Sequence, residues 1–255
     1  MQHVRQPVWQ EWPAAKSPPS KGNPCAPRDP AERLSAFHRL EAAGERVKLS
    51  EGDLLVREGQ SSDENFTVIE GALMLYKSLP GGRRQVVGFH FAGELVTLRR
   101  CSSTWPVSIC ALSPSMVCRL PCEAFRHLAE SDPAVCQTVL DMAGDEISAR
   151  QEQLLTVGRK NTVERIAAFL LEIQQRTRRG EEPGKEVLLP MNRAAIADYL
   201  GLKTETVSRA FARLIQEQIV TLPRPSHVVI LDRQALAALA AGRPPRSREH
   251  AVAAR

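Results

Sequence analysis

The sequence predicts an α+β protein, in which an antiparallel β sandwich or barrel precedes a long helix and a C-terminal helix-turn-helix with a β-hairpin wing. Between residues 47 and 120, short apolar segments alternate with turn residues at spacings of about 8–12 residues. The apolar spacing then becomes helical. Residues 158–255 carry 17 Lys and Arg against 10 Asp and Glu, whereas residues 1–157 carry 17 against 19. A basic half beside a nearly neutral half is typical of a polyanion-binding module joined to a regulatory one.

Short segments make up the predicted β region. Each ends at glycine, proline or polar residues, as at Glu58-Gly59 and Pro80-Gly81-Gly82. The segments lie at residues 54–56, 66–69, 72–76, 85–91, 107–112 and 116–120. This many short strands with turn signals between them indicates an antiparallel sheet structure closed into a sandwich or a barrel.

Helices follow the β region. A short helix is predicted at 123–129, and Pro133 begins a long one that reaches about residue 156 and ends at Gly158. Apolar residues recur along the long helix at alternating spacings of four and three, with Arg150 as a polar interruption; they are Cys136, Leu140, Ala143, Ile147, Leu154 and Val157. Such a heptad seam indicates a self-pairing coiled coil, whereas a helix packed only on its own barrel needs a wider stripe. We therefore favour a homodimer.

The basic half begins with a helix of its own. Asn161 and Glu164 resemble a capping box, and apolar residues then line one face as far as about Thr177. A polar loop at 178–185 and a short strand at 186–189 follow.

The window 191–214 predicts a helix-turn-helix. Asn192 can cap a first helix, Gly201 can form a tight turn, and Thr204 can cap a second helix. The small Ala197 in the first helix and Val207 in the second suit two helices that cross at a steep angle.

A β-hairpin wing is predicted directly after the second helix. Apolar segments at 219–222 and 228–231 flank Pro223-Arg224-Pro225-Ser226. A wing in this place can meet a phosphate backbone.

The exposed face of the second helix carries most of the candidate DNA-binding residues. Arg209 can fork to O6 and N7 of guanine, and Glu205 can accept a hydrogen bond from a cytosine amino group. The two residues could instead form an i,i+4 surface ion pair, which contributes only about 0.2–0.5 kcal/mol. The wing, the basic half and the dimer together favour DNA contact. The candidate DNA-binding residues are Arg193, Lys203, Thr204, Glu205, Ser208, Arg209 and Arg213.

Longer motifs in both halves carry a family resemblance. They are Gly88-Phe89-His90-Phe91-Ala92-Gly93-Glu94-Leu95-Val96, Ser115-Met116-Val117-Cys118, Lys160-Asn161, Glu164-Arg165-Ile166-Ala167-Ala168-Phe169, Asp198-Tyr199-Leu200-Gly201-Leu202 and Glu205-Thr206-Val207-Ser208-Arg209. These motifs resemble the FNR/FixK branch of the CRP/FNR family of bacterial transcription regulators, and the resemblance extends over about residues 34–239. It implies a FixK-like protein with an N-terminal β-roll similar to a cyclic-nucleotide-binding domain, a dimerisation helix and a C-terminal winged helix-turn-helix. It also implies that Glu205, Ser208 and Arg209 read inverted TTGAT-type half-sites.

One departure from the family concerns iron. Its oxygen-sensing members hold a four-iron cluster with three closely spaced N-terminal cysteines and a fourth in the β-roll, whereas this chain offers Cys25 and Cys118 in those regions. Such a cluster needs four thiolates, so we expect none unless Cys101, Cys110 or Cys122 substitutes. For Cys118 itself we favour packing in the core.

A second departure concerns cyclic AMP. The members that bind it place an Arg-Ser pair after a Gly-Glu-Leu turn, because a buried cyclic phosphate needs a fixed cation and hydrogen-bond donors. The turn is present at residues 93–95, but Trp105-Pro106 occupies the approximate place of the pair. Arg99 and Arg100 precede the usual position, and His90 is interpreted as a β-roll histidine rather than a haem ligand. We therefore expect no cofactor.

These observations divide the chain into five parts. We expect a disordered segment at residues 1–30, the β-roll at 31–131, the dimerisation helix at 132–157, the winged helix-turn-helix at 158–241 and a disordered tail at 242–255.

The function expected from this organisation is sequence-specific transcription regulation. The sequence contains no nucleophile and base constellation, P-loop or paired carboxylates, so we expect no enzyme. It contains no signal peptide or apolar span, so we expect a cytoplasmic protein that does not contact a membrane. The resemblance implies a homodimeric activator of genes for microaerobic or anaerobic metabolism, with double-stranded DNA and RNA polymerase as partners. The alternative is a sensor gated by a small molecule, or by redox chemistry at an iron–sulfur cluster, in or near the β-roll.

Overall fold

A computed structural model describes residues 30–96, 103–177 and 185–243. Its N-terminal part begins with helix α1 (Pro30–Ala42) and continues with short antiparallel strands. The strands are β1 (Glu45–Leu49), β2 (Leu54–Val56), β3 (Ser61–Ser62), β4 (Glu64–Glu70), β5 (Ala72–Ser78), β6 (Arg84–Phe91), β7 (Ser103–Thr104), β8 (Ser108–Ala111) and β9 (Ser115–Pro121). The sequence predicts β2, β4, β5, β6, β8 and β9. It does not predict β1, because the side chains of this largely exposed strand show little apolar alternation.

The strands form a β-roll of two main sheets. One sheet has the order β1-β9-β4 and the other has the order β2-β8-β5-β6, while β3 pairs with β7. Phe66 and Val117 from the first sheet and Leu73 and Ile109 from the second belong to one buried apolar cluster. The two sheets therefore face each other across a filled interior, as the sandwich or barrel prediction requires.

Two helices follow the β-roll, namely α2 (Cys122–Ser131) and α3 (Pro133–Arg159). The Asp132 side chain accepts hydrogen bonds from the backbone N–H groups of Ala134 and Val135, and so caps α3. The prediction that Gly158 ends this helix is wrong, because α3 continues to Arg159. An exposed glycine in the last turn of a long helix costs only about 1 kcal/mol relative to alanine, which does not stop the helix.

The apolar seam of α3 lies on the surface of the single chain. Leu140, Ile147 and Leu154 are 59 %, 60 % and 75 % exposed, whereas Val135 and Met142 on another face are buried. Arg150 does not interrupt this seam in the way the sequence suggests. Its guanidinium folds back against Gly88 of β6 and its Nε donates to Glu146 Oε1 at 2.9 Å.

The C-terminal part is a helical domain with a small sheet. Its elements are α4 (Thr162–Arg176), β10 (Glu186–Leu188), α5 (Arg193–Leu200), α6 (Thr204–Gln216), β11 (Val220–Arg224), β12 (His227–Ile230) and α7 (Arg233–Ala240), and the sheet order is β10-β12-β11. The capping box is confirmed: Asn161 Oδ1 accepts from Glu164 N at 3.1 Å, and the Glu164 side chain accepts from Asn161 N at 2.9 Å.

The apolar core of this domain extends into the β-roll. Ile166, Phe169 and Phe211 of the helices belong to the same buried cluster as Phe89 and Phe91 of β6. The two parts therefore pack on each other through a shared apolar interior in this conformation.

Some predictions fall on residues outside the described ranges. These are the disorder at residues 1–29, most of the loop 178–185 and the tail beyond residue 243, so each stays a prediction. Within the described ranges, no helix is both long enough and apolar enough to cross a lipid bilayer.

Candidate nucleic-acid interface

The helix α5 and the turn after it set the position of α6. Asn192 Oδ1 accepts a hydrogen bond from Ala195 N at 2.9 Å, which caps α5 as predicted. Gly201 ends α5 with φ 64° and ψ 40°, a left-handed conformation in which a side chain is strained. Leu202 N then donates to Ala197 O at 2.9 Å and closes the turn. The chain therefore leaves α5 in a fixed direction.

Helix α6 begins one residue earlier than the predicted cap implies. Lys203 is the capping residue and Thr204 is the first residue of the helix, so the prediction that Thr204 caps α6 is wrong. Lys203 O instead accepts from the backbone N–H groups of Thr206 and Val207, at 2.9 and 3.1 Å, and its own side chain makes no capping hydrogen bond. Ser208 Oγ donates to Thr204 O at 3.0 Å, back onto the first turn of the same helix.

The inner face of α6 holds the helix in the domain. Val207, Ala210, Phe211 and Leu214 are buried there, at the spacing of one helix face. The opposite face is exposed, and it carries Lys203, Thr204, Glu205, Ser208, Arg209 and Arg213 together. The structure therefore brings six of the seven predicted DNA-binding residues into one surface row.

Ion pairing differs between the charged residues of this row. Among the described residues, Glu205 and Arg209 do not form the i,i+4 ion pair that the sequence left open as an alternative. Arg213 does form one, because its Nε donates to Glu217 Oε1 at 2.7 Å. The side chains of Glu205 and Arg209 can therefore meet a partner without first breaking an ion pair.

Arg193, the first residue of α5, lies apart from this row, with its side chain against α6. Its guanidinium lies 3.4 Å from the centre of the Phe211 ring, and burial lowers its pKa from the ordinary arginine value. Within the described chain, its buried Nη1 has no hydrogen-bond partner. The stacked arginine packs against the middle of α6, a contact that the sequence pattern did not reveal.

The wing follows α6 as predicted. Strands β11 and β12 are antiparallel, and the exposed residues 224–226 form the tip between them. Leu189 N donates to Ser226 O at 2.8 Å, which ties the tip to the segment before α5.

The interior of the β-roll is filled by apolar side chains, among them the aromatic Phe66 and Trp105. Trp105 is almost completely buried, and its ring centre lies 5.7 Å from that of Phe66. Its backbone is also held, because Trp105 N donates to Gln60 O at 2.9 Å and Gly59 N donates to Trp105 O at 2.8 Å. Trp105, which the sequence places near the expected position of a phosphate-binding arginine, is therefore part of the packed interior, while Arg99 and Arg100 lie outside the described residues.

The described cysteines do not fit an iron–sulfur cluster. Cys110 lies on β8, Cys118 on β9, Cys122 at the start of α2 and Cys136 on α3, and none of these residues belongs to a group of three or more potential metal ligands. Cys118 is buried, as expected, and burial raises the pKa of its thiol, which opposes thiolate formation. Cys25 and Cys101 lie outside the described residues.

His90 is also buried, at the end of β6. Burial lowers its pKa to about 4, so the imidazole is neutral at neutral pH. Its Nδ1 lies 3.6 Å from Glu94 Oε2.

Comparisons with known proteins agree with this geometry. A Crp-like helix-turn-helix domain matches residues 164–239, and a cyclic nucleotide-binding domain matches residues 46–132. The chain is 35 % identical to the transcriptional activatory protein AadR of Rhodopseudomonas palustris, covering 85 % of this chain and 88 % of that protein. It is 34 % identical to the nitrogen fixation regulation protein FixK of Bradyrhizobium diazoefficiens, covering 85 % and 89 %. The solved structure of FixK2 from Bradyrhizobium japonicum matches with a TM-score of 0.70 and 29 % identity, over 77 % of this chain and 96 % of that chain.

Proposed function

This chain belongs to the CRP/FNR family of transcription regulators, and on that premise we propose that it is a homodimeric activator that binds TTGAT-type inverted repeats. The observation that carries the proposal is the exposed row on α6, in which Glu205 and Arg209 are not paired with each other. An α-helix fits the major groove, where every base pair presents a distinct pattern of donors and acceptors.

We assign base contacts to Glu205, Ser208 and Arg209. Arg209 would fork to a guanine and Glu205 would accept from a cytosine amino group, as the sequence analysis expects. The remaining candidates would contact phosphates, which position the helix without reading sequence; they are Arg193, Lys203, Thr204 and Arg213. Arg193 would do so with the N–H groups that its stacking on Phe211 leaves free.

The partner of the α3 seam is a second copy of this chain. Leu140, Ile147 and Leu154 are exposed at heptad spacing, and an apolar stripe of this kind marks the surface along which a second helix packs in a coiled coil. Two copies paired along α3 would present two α6 helices to one duplex. An inverted repeat is the matching DNA symmetry.

The proposal also covers the domain boundaries, the cellular location and the target promoters. We propose the division into β-roll, dimerisation helix and winged helix-turn-helix at residues 31–131, 132–157 and 158–241. We also propose that the protein acts in the cytoplasm on RNA polymerase at promoters for microaerobic or anaerobic metabolism, and that it regulates rather than catalyses.

Selection from random duplexes tests the proposal. Aerobically purified, metal-free protein without additives is expected to select an inverted repeat whose half-site centres lie about 34 Å apart, or one helical turn. The visible absorption spectrum of the same preparation is recorded. If selection requires an added small molecule, or an anaerobic preparation is brown and bleaches in air, the sensor alternative replaces the cofactor-free one.

Cyclic AMP is expected to leave the protein unchanged. Because Trp105 occupies the region where a phosphate-binding arginine is expected, saturating cyclic AMP should alter neither the melting temperature nor the DNA affinity. A ligand that binds the native state would stabilise it by about 2.7 kcal/mol at a hundredfold excess over its dissociation constant. Thermal melting with and without cyclic AMP measures this, with a cyclic-AMP-responsive family member as the positive control. A clear upward shift would contradict the expectation.

A further inference from the structure

The junction between the β-roll and the helical domain contains an arginine held by two carboxylates. Arg176, at the end of α4, donates from Nε to Glu94 Oε1 at 3.0 Å and from Nη2 to Glu94 Oε2 at 2.8 Å. Its Nη1 donates to Glu172 Oε1 at 3.0 Å, and its Nη2 also donates to Phe89 O. Its guanidinium lies 5.1 Å from the ring centre of Phe91. A bidentate arginine fork of this kind fixes distance and orientation together.

Glu94 is itself fixed to the β-roll. Its Oε2 accepts from Phe91 N at 3.1 Å, and its backbone O accepts from Val68 N at 2.9 Å. Neutral His90 leaves Arg176 to supply the positive charge that faces this carboxylate. The fork therefore connects α4 of the helical domain to a rigid turn of the β-roll.

Further contacts of the junction reach the end of α5, directly before the turn into α6. The Phe89 and Tyr199 rings lie 5.0 Å apart, and Tyr199 OH donates to Glu172 at 3.2 Å. Gln85 of β6 donates to Asp198 O, and Gln153 of α3 donates to Tyr199 O at 3.5 Å. The β-roll and α3 thus contact the helix that leads into α6.

We propose that Arg176 is a positioning residue for DNA binding, whose fork onto Glu94 fixes the angle at which each protomer presents α6 to its half-site. This inference rests on the proposed function, because it assumes a dimer on an inverted repeat. In such a dimer, binding of the second half-site is intramolecular, and its effective concentration depends on how stiffly the two α6 helices are held. With a loose junction, each helical domain would still bind its own half-site. The effective concentration for binding the second half-site, however, would be lower.

Affinities for duplexes with one half-site and with two half-sites distinguish a loss of α6 positioning from damage to the helical domain itself. Arg176→Met keeps a side chain over Phe91 but removes the fork, and Glu94→Gln weakens the same fork from the β-roll side without altering the helical domain. For both variants we expect affinity for the full inverted repeat to fall roughly tenfold, while affinity for a single half-site is unchanged. A series of duplexes with one or two base pairs added or removed between half-sites should show broader spacing tolerance. The double variant should lose little more than either single one, because both remove one interaction.

Arg119→Met is the matched control. Arg119 also faces two carboxylates, Glu45 at 2.6 Å and Glu64 at 3.5 Å, but all three residues belong to the β-roll. The DNA affinity and spacing preference of the Arg119→Met variant should equal those of the wild type.

Several outcomes would overturn the inference. Unchanged full-site affinity and spacing preference in Glu94→Gln would show that the fork does not position α6, and a gain in affinity would show that it restrains the domain instead. Equal losses on one and two half-sites, with a lower urea midpoint, would show a purely structural role. If the wild type selects no inverted repeat, the proposed function itself is rejected. This selection is carried out before any variant is made.

Discussion

Ile147→Glu is expected to leave the protein monomeric and to lower its affinity for the inverted repeat by about 10²–10⁴-fold. Ile147 lies midway between Leu140 and Leu154 on the exposed seam of α3, and is itself 60 % exposed in the single chain. Pairing two copies would bury a carboxylate from each in apolar surroundings, where an unpaired charge is strongly unfavourable. Without the dimer, each α6 helix binds its half-site alone.

Sedimentation velocity measures the oligomeric state, and titration of the selected duplex measures the affinity. Ser148→Glu is the control, because it adds the same charge at an exposed position about 100° further around the same helix. We expect this control to remain dimeric and to bind as the wild type does. A dimeric Ile147→Glu protein with unchanged affinity would contradict the assignment of the seam.

Arg209→Ala is expected to cost about 1–3 kcal/mol of binding to the selected site and to relax the selection of one guanine in each half-site. Arg209 is exposed on α6 and is not paired with Glu205, so its guanidinium can fork to a base without breaking an existing ion pair. The loss should be smaller on scrambled duplex, where contacts are mainly to phosphates.

Competition between the selected and the scrambled duplex at one fixed salt concentration measures this change in specificity. Arg224→Ala, at the exposed tip of the wing, is the comparison variant. As a phosphate contact it should weaken binding to all sequences alike and reduce the salt dependence by about one ion. If Arg209→Ala keeps the wild-type base preference at every position, α6 does not read sequence through this residue.

Local signals in the sequence predict much of the fold. Short apolar segments bounded by turn residues predict β2, β4, β5, β6, β8 and β9, since a strand half-buried in a sheet shows its burial in its own pattern. Asn161 and Asn192 are recognisable as caps, because their side chains bond to backbone N–H groups within three residues. The exposed row on α6 follows in the same way from the helical spacing of its buried residues.

The sequence errs where two local signals compete. Thr204 is the better capping residue by type, yet the helix begins after Lys203, because the turn at Gly201 determines where the chain can become helical. Gly158 suggests a helix end, yet α3 ends at Arg159, two residues before Asn161, which caps α4. Arg150 occupies a heptad position in the sequence, and only its contact with Gly88 shows that its side chain points toward β6.

By itself, the sequence determined the order of most of the elements, the caps at Asn161 and Asn192 and the exposed face of α6, since each depends on neighbours within one or two turns of chain. Only the tertiary structure decided how the β-roll meets the helical domain. Glu94 and Arg176 are 82 residues apart, and each on its own has the pattern of an ordinary polar residue in a turn or near a helix end. They meet because β6 packs on the helical domain, where the Phe89 ring lies 5.0 Å from that of Tyr199, and packing between distant elements leaves no periodic trace in either one.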